Sequence, residues 1–235
     1  MPKVELIPVI DLMGGAVVHA RRGARAAYRP IETPLSASAA PQDVAEGLLA
    51  LGTFRTLYIA DLDAIAGAAG HDAVLEALAA RHPGLALWVD AGEASPAALS
   101  RRVAGGPGRP VIGSESLADL AEAEAALASG AGLLSLDYGP EGPRGPGELH
   151  ARADLWPEAV IVMTLARVGA GQGPDMERLS DILARAQGRR VYAAGGVRDV
   201  GDLHHLAELG IAGVLLASAL HDGRLSREDI AAFMA

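Results

Sequence analysis

Two short segments near the end of the chain carry its clearest chemistry. Residues 191–199 read Val-Tyr-Ala-Ala-Gly-Gly-Val-Arg-Asp, and residues 213–220 read Gly-Val-Leu-Leu-Ala-Ser-Ala-Leu. Each is an apolar run that ends in small residues and opens into a helix-like stretch. Gly195 and Gly196 have no side chain to hold a ligand off, so a phosphate can approach bare backbone N–H groups at the positive end of a helix. Ala217 and Ser218 repeat the arrangement after the next run and add one hydroxyl. These four are the expected phosphate-binding residues, and a small phosphorylated metabolite is the expected partner. Paired cradles at the end of a 235-residue chain are expected after strands 7 and 8 of a (β/α)8 barrel.

The elements that must position these residues follow from periodicity. Eight apolar runs, at 4–10, 57–60, 85–89, 110–112, 132–136, 160–163, 190–194 and 213–216, alternate with helical patterns. Apolar residues at three- and four-residue spacing mark the latter: Val44, Leu48, Leu51; Val74, Leu75, Leu78; Leu117, Leu120, Ala123, Leu127; and Leu179, Ile182, Leu183, Ala186. Pro41 with Asp43, Ser95-Pro96, Ser116, Pro174-Asp175, Asp199 and Ser226 stand where caps or first turns belong. Eight strand–helix units predict an α/β fold of the TIM-barrel type, with an open doubly wound sheet as the alternative. No linker-like composition divides the chain, so residues 1–235 are read as one domain. Two connections, 13–40 and 138–147, are long and leave the catalytic face, which makes them lid candidates.

The sequence also repeats at half length. Asp11 ends the first run and Asp137 the fifth; residues 59–61 align with 162–164 and 89–92 with 192–195 at an offset of 103, and Gly113-Ser114 aligns with Ala217-Ser218 at 104. Such offsets predict a half-barrel duplication. Half of the residues are hydrophobic and only 3% aromatic, with a mean hydropathy of +0.23. That suits buried parallel strands under Ala/Leu-rich helices. A net charge of −9 argues against nucleic acid as the main partner. No apolar stretch reaches the roughly 18 residues of a membrane span, and the first residues lead straight into a strand, so no membrane and a cytoplasmic location are expected. The absence of cysteine excludes disulfides, thiolate catalysis and zinc–thiolate sites.

Taken together, the segment around Asp11 (Ile-Pro-Val-Ile-Asp-Leu-Met-Gly-Gly), Tyr58-Ile-Ala-Asp61-Leu-Asp63, Leu136-Asp137, Ala194-Gly195-Gly196-Val-Arg198 and Ala217-Ser218-Ala-Leu220 resemble the histidine-biosynthesis barrels. These are the phosphoribosylformimino-aminoimidazole-carboxamide ribotide isomerase and the imidazole glycerol phosphate synthase cyclase. The resemblance covers nearly the whole chain in order. It implies two phosphate sites on opposite sides of the barrel mouth and an aldose–ketose (Amadori) isomerisation, with Asp11 as the base and Asp137 as the acid. It implies further that the Thr164 hydroxyl supports the reacting sugar. No cofactor and no metal are called for. Two carboxyls held in different environments can share acid and base roles at neutral pH.

Three departures from that pattern shape the substrate expectation. The segment from Thr164 to Asp175 has no carboxylate between its ends but carries Arg167, read as a clamp on an anionic substrate or a solvated loop residue. After the third and fourth runs stand Asp90-Ala-Gly-Glu93 and Gly113-Ser114-Glu115, and carboxylates there oppose a phosphate dianion. One phosphate gripped at Gly195 and Ser218, with an acidic opposite end, is the resulting expectation. Asp61, Asp63, Asp90 and Glu93 then face an amine or divalent cation, with Asp90 and Glu93 read alternatively as exposed helix-start residues; Asp61 and Asp90 are counted as substrate-binding. Finally, the loop after the first run holds His19, Arg21, Arg22, Arg25, Tyr28 and Arg29, a cationic lid in which Arg21 and Arg22 are expected to bind substrate. His71, His82 and His150 are read as helix-end residues. The alternatives are a role near methanofuran or tetrahydromethanopterin biosynthesis in one-carbon metabolism, suggested by a resemblance of Arg167-Val-Gly to a related branch, and a barrel that binds a phosphorylated metabolite without catalysis. Monomer and homo-oligomer stay open.

Overall fold

The apolar runs become eight strands: β1 (Glu5–Met13), β2 (Thr56–Asp61), β3 (Ala86–Asp90), β4 (Arg109–Gly113), β5 (Leu133–Gly139), β6 (Ala159–Thr164), β7 (Arg190–Ala194) and β8 (Gly213–Leu216). The computed structural model describes residues 4–20 and 24–235. Each strand pairs parallel with the next in chain order, and β8 closes on β1 with Glu5 opposite Gly213 and Pro8 opposite Leu216. An open doubly wound sheet would leave β1 and β8 as edges, so the closure decides for the barrel. β1 and β5 run past their expected ends because each continues into a hairpin. Leu12 and Met13 pair antiparallel with Val17 and Ala16, and Tyr138 and Gly139 with Pro143 and Gly142. Gly14 and Gly15, at φ 59° and 79°, make the first of these turns.

Side-chain alternation divides the strands between two cores. Leu6, Leu57, Leu87, Leu134, Val160 and Val191 face outward and pack with helix residues such as Val44, Leu48, Leu75, Leu78, Leu99, Ile182 and Leu206. The alternate positions Ile7, Tyr58, Trp88, Val111, Leu133, Ile161, Tyr192 and Leu215 fill the barrel. Aromatic residues are few, yet three of them lie inside, and the rings of Trp88 and Tyr192 meet edge-on at 4.9 Å and 86°.

Seven helices of eight to ten residues cover the strands: Pro41–Leu49, Asp72–Arg81, Pro96–Gly105, Leu120–Ala128, Met176–Arg185, Val200–Leu209 and Arg227–Met234. The expected fifth strand–helix unit has no α-helix. After β5 the chain makes two 3-10 turns, Gly147–His150 and Ala153–Leu155, in a stretch where Pro140, Pro143, Pro146 and Pro157 deny helical hydrogen bonds. Leu149 and Trp156 fill the space instead, with Trp156 Nε1 donating to the Leu149 carbonyl at 2.9 Å. Ser95, Asp175, Asp199 and Ser226 cap helices as expected. Ser116 does not. Asp119 is the N-cap of Leu120–Ala128, accepting from the Glu122 amide at 2.9 Å, and the Ser116 hydroxyl is buried within a 3-10 turn. Among the described residues no helix is long and apolar enough to cross a membrane.

Candidate active site

At the C-terminal ends of the strands the barrel opens into a mouth of about 1000 Å³. The alternation that fills the barrel decides which strand-end residues reach it. Asp11 follows Ile7 and Val9, Asp90 follows Trp88, and Asp137 shares the parity of Leu133; all three point inward and line the mouth. Asp61 and Thr164 have the opposite parity, that of Leu57 with Ile59 and of Val160 with Val162. Both are buried, and neither lines the mouth, where Ala60, Met163 and Leu165 stand instead.

Asp61 serves the scaffold rather than the substrate contact expected of it. Its carboxylate caps the short helix Leu62–Ile65 through the Ala64 amide at 3.1 Å and accepts from the His71 amide at 2.6 Å. The His71 ring bridges onward. Its Nδ1 lies 2.9 Å from Asp61, while its Nε2 accepts from the Gly15 amide at 3.0 Å, which fixes the proton on Nδ1. Asp63 accepts from the Gly14 amide at 2.7 Å. His71 thus stands at the N-cap position of Asp72–Arg81, as expected, but its side chain ties the β1 hairpin to β2 instead of capping that helix. Glu93 also turns away from the mouth, paired with the buried Arg102 guanidinium at 2.9 Å.

The three inward carboxyls differ in their surroundings. Asp137 accepts from the Ser135 hydroxyl at 2.6 Å, the Glu115 amide at 3.1 Å and the Ser114 hydroxyl at 3.2 Å. Asp90 accepts from the Gly92 amide at 3.2 Å and the Tyr58 hydroxyl at 3.3 Å. The two approach each other over Gly113, where a Cβ would lie 3.2 Å from Asp90 and 3.4 Å from Asp137. Burial pushes the Asp11 carboxyl up to about 7, with the Arg25 guanidinium working against it. Burial, reinforced by the charge of Asp137, raises Asp90 to about 7 as well. Asp137 is raised by burial to about 6, held back by its three donors. Burial and these three carboxylates push the Tyr58 phenol well above its ordinary value, which keeps it a neutral donor.

This electrostatic strain has a consequence for stability. Asp90 binds its proton more tightly folded than unfolded, so it favours the folded state below about pH 4, and that advantage is lost as pH rises through about 7. Asp90→Asn is therefore expected to stabilise the protein at pH 8 by on the order of 2 kcal/mol and to change little near pH 4. Thermal melts of both proteins at the two pH values check this, and an equal shift at both contradicts it.

On the opposite side of the mouth lie the small-residue turns. Gly195 and Gly196 adopt φ 102° and 94°, a region that favours glycine. They are also closely packed: a Cβ would lie 2.7 Å from the Thr164 carbonyl oxygen at Gly195 and 2.2 Å from the Gly173 carbonyl oxygen at Gly196. Both glycines, Ala217 and Ser218 line the mouth. The Ser218 hydroxyl is 3.4 Å from His19 Nε2. Arg198 folds back on Asp202 at 2.7 Å, but Arg224, which the sequence did not single out, reaches the mouth while paired with Asp222 at 2.9 Å. Arg167 lines the mouth and holds its own loop, donating to the Gly173 carbonyl at 3.1 Å.

The first-half side is not the bare acidic surface the sequence suggests. Glu115 is ion-paired with Arg25 from the loop after β1 and with Arg144 from the loop after β5, the latter at 3.0 Å. Gly145, at φ 78°, lets the second loop press onto β4: a Cβ there would lie 1.8 Å from the Ser114 carbonyl oxygen. Arg144 was hidden in a Gly/Pro-rich stretch whose length alone marked it. Tyr28 is buried at the mouth, and Arg29 turns to the carbonyls of Ala26 and Tyr28. Arg21 and Arg22 lie outside the described residues.

Fold and mouth together define a (β/α)8 barrel whose candidate reactive groups sit at the C-terminal ends of its strands. A family model described as histidine biosynthesis protein matches residues 148–226. The chain is 30% identical to the 1-(5-phosphoribosyl)-5-((5-phosphoribosylamino)methylideneamino)imidazole-4-carboxamide isomerase of Moorella thermoacetica, over 98% of each chain. It is 28% identical to the isomerase of the same name from Symbiobacterium thermophilum, over 94% of this chain and 93% of the relative. An uncharacterized protein of Methanocaldococcus jannaschii is also 28% identical, over 97% of each. The chain belongs to the histidine biosynthesis protein family and is an enzyme of the isomerase class.

Proposed function

We propose that the chain isomerises a phosphoribosyl compound by moving a proton between neighbouring sugar carbons, with one phosphate held at Gly195, Gly196, Ala217 and Ser218. One observation carries this reading: Asp11 and Asp137, from strands half a barrel apart, open into the same mouth as the small-residue turns. A carboxyl near 7 is divided between its two forms at neutral pH, which suits Asp11 to taking a proton from carbon. The Asp137 side of the mouth then supplies the proton that opens the sugar ring. A non-catalytic binder has no need of buried, proton-holding carboxyls opposite its phosphate turns.

The one-phosphate reading rests on Glu115. Its carboxylate is already paired with the guanidiniums of both Arg25 and Arg144, so an anion arriving on that side competes with it for the same donors. Isothermal titration with inorganic phosphate is expected to show a single site, with the turns at Gly195 and Ser218 shifting in NMR spectra. Turnover of the ribotide named for the Moorella relative is followed alongside. Two phosphate sites of similar affinity overturn the asymmetric reading, and the absence of isomerisation with mono- and bisphosphorylated ribotides overturns the activity.

A further inference from the structure

Asp90 stands in the mouth without a part in the chemistry set out so far. We infer that Asp90 holds the proton on this side of the mouth and that Asp137 stays ionised beside it, so that Asp90 is the group that protonates the sugar oxygen. The inference rests on the isomerase reading for its chemical step but not for the location of the proton.

The hydrogen-bond donors make the distinction. The Glu115 amide can only donate, and it donates to Asp137 Oδ2. The Ser114 hydroxyl accepts from the Asp137 amide at 2.9 Å, which frees its own proton for the same oxygen. Ser135, at 2.6 Å, supplies a third donor at Oδ1. A carboxylate met by three donors is stabilised as the ion. Asp90 has two donors, both beyond 3.1 Å, from Gly92 and Tyr58. The two carboxyls face one space above Gly113, 3.2 Å and 3.4 Å from where a Cβ would lie there, and like charges sharing a site raise the cost of ionising both. The remaining charges around the pair do not reverse this order. Glu115 is neutralised by Arg25 and Arg144, Arg25 also faces Asp11 across the mouth, and the Tyr58 phenol is neutral. Burial and the neighbouring charge raise Asp90 further than Asp137, in agreement with the donor count.

The step balances without a further reagent. As the ring C–O bond breaks, its electron pair stays on oxygen and takes the Asp90 proton. Asp11 removes the proton from C2, and the enolamine forms. Collapse to the ketone returns the enol hydroxyl proton to Asp90, and Asp11 gives its proton to C1. Asp137 is a positioning residue in this scheme: its fixed charge keeps Asp90 protonated.

Carboxyl-detected NMR of aspartate-labelled protein, without substrate, tests the assignment. In the unmodified protein the Asp90 resonance is expected to titrate near neutrality and Asp137 to be ionised there. In Asp137→Asn the Asp90 midpoint is expected to fall by at least one pH unit. An Asp90 that is ionised at pH 6 in the unmodified protein, or one whose midpoint ignores Asp137→Asn, overturns the proposal. These readouts do not depend on Asp90→Asn folding. With a turned-over ribotide, Asp90→Asn is expected to lower kcat by about 10²–10⁴-fold with KM little changed and to remove the alkaline limb of the pH profile. An alkaline limb that survives Asp90→Asn refutes the chemical part. A protein that turns over no ribotide but titrates as described refutes the isomerase reading and leaves the proton where it is assigned.

Discussion

Asp11→Asn is expected to lower kcat by about 10³-fold while leaving phosphate affinity within a factor of a few. The amide keeps the shape and a hydrogen-bonding oxygen but cannot accept a proton from carbon, and no other inward carboxyl stands on the β1 side of the mouth among the described residues. The phosphate turns lie after β7 and β8, and their backbone geometry does not depend on the charge of Asp11. The loss is expected to shrink below about pH 7, where the normal carboxyl, raised to about 7, is already protonated and cannot act as the base. Parallel measurement of kcat and of phosphate binding checks the separation. An Asp11→Asn protein with normal turnover removes Asp11 from the chemistry; one that also loses phosphate binding shows that the mouth itself has collapsed.

The second large effect is expected at Gly196. An alanine there must hold φ near 94° and find room for a methyl group 2.2 Å from the Gly173 carbonyl oxygen. The backbone conformation alone costs about 1–3 kcal/mol. The collision adds to it, because relief requires the loop after β6 to lift from the turn, and Arg167 is bonded to that loop at Gly173. Gly188 provides the control: it has φ 84° with nothing within 4 Å of a built Cβ. Gly188→Ala is expected to lower the melting temperature through strain alone. Gly196→Ala is expected to lower it further and to weaken inorganic phosphate binding by at least tenfold. Equal losses in the two variants refute the close-approach account of Gly196.

The strands and both glycine turns could be read from the sequence because their signals are local. Val191-Tyr192-Ala193-Ala194 is short, apolar and followed by two glycines, and β7 spans 190–194 as expected. The inward aspartates were also legible, but only alternation separates them from Asp61 and Thr164, which end strands just as visibly. Tyr58 and Ala60 point into the barrel, and counting by twos from Tyr58 places Asp61 outside. Thr164 is excluded by the same count from Ile161. The contact between Glu115 and its arginines lay beyond such counting. Arg25 is 90 residues away and Arg144 is 29 away, in loops whose course the periodicity does not set. Judged by charge alone, Glu115 only repels an anion; in three dimensions it is a neutralised link across the mouth. The missing helix after β5 had its cause in plain view, four prolines within 140–157, but a fold built of strand–helix units invites a helix there.

The crossed rings of Trp88 and Tyr192 also bear on traffic. They stand in the barrel's own core, and Gly213 keeps its side-chain position open for Tyr192, whose Cδ1 would lie 2.7 Å from a methyl group there. A stopper of this kind makes the interior a cul-de-sac. Reactant and product must share one doorway, the mouth that Arg25 and Arg144 line. Turnover in such an arrangement is paced by exit as readily as by proton transfer.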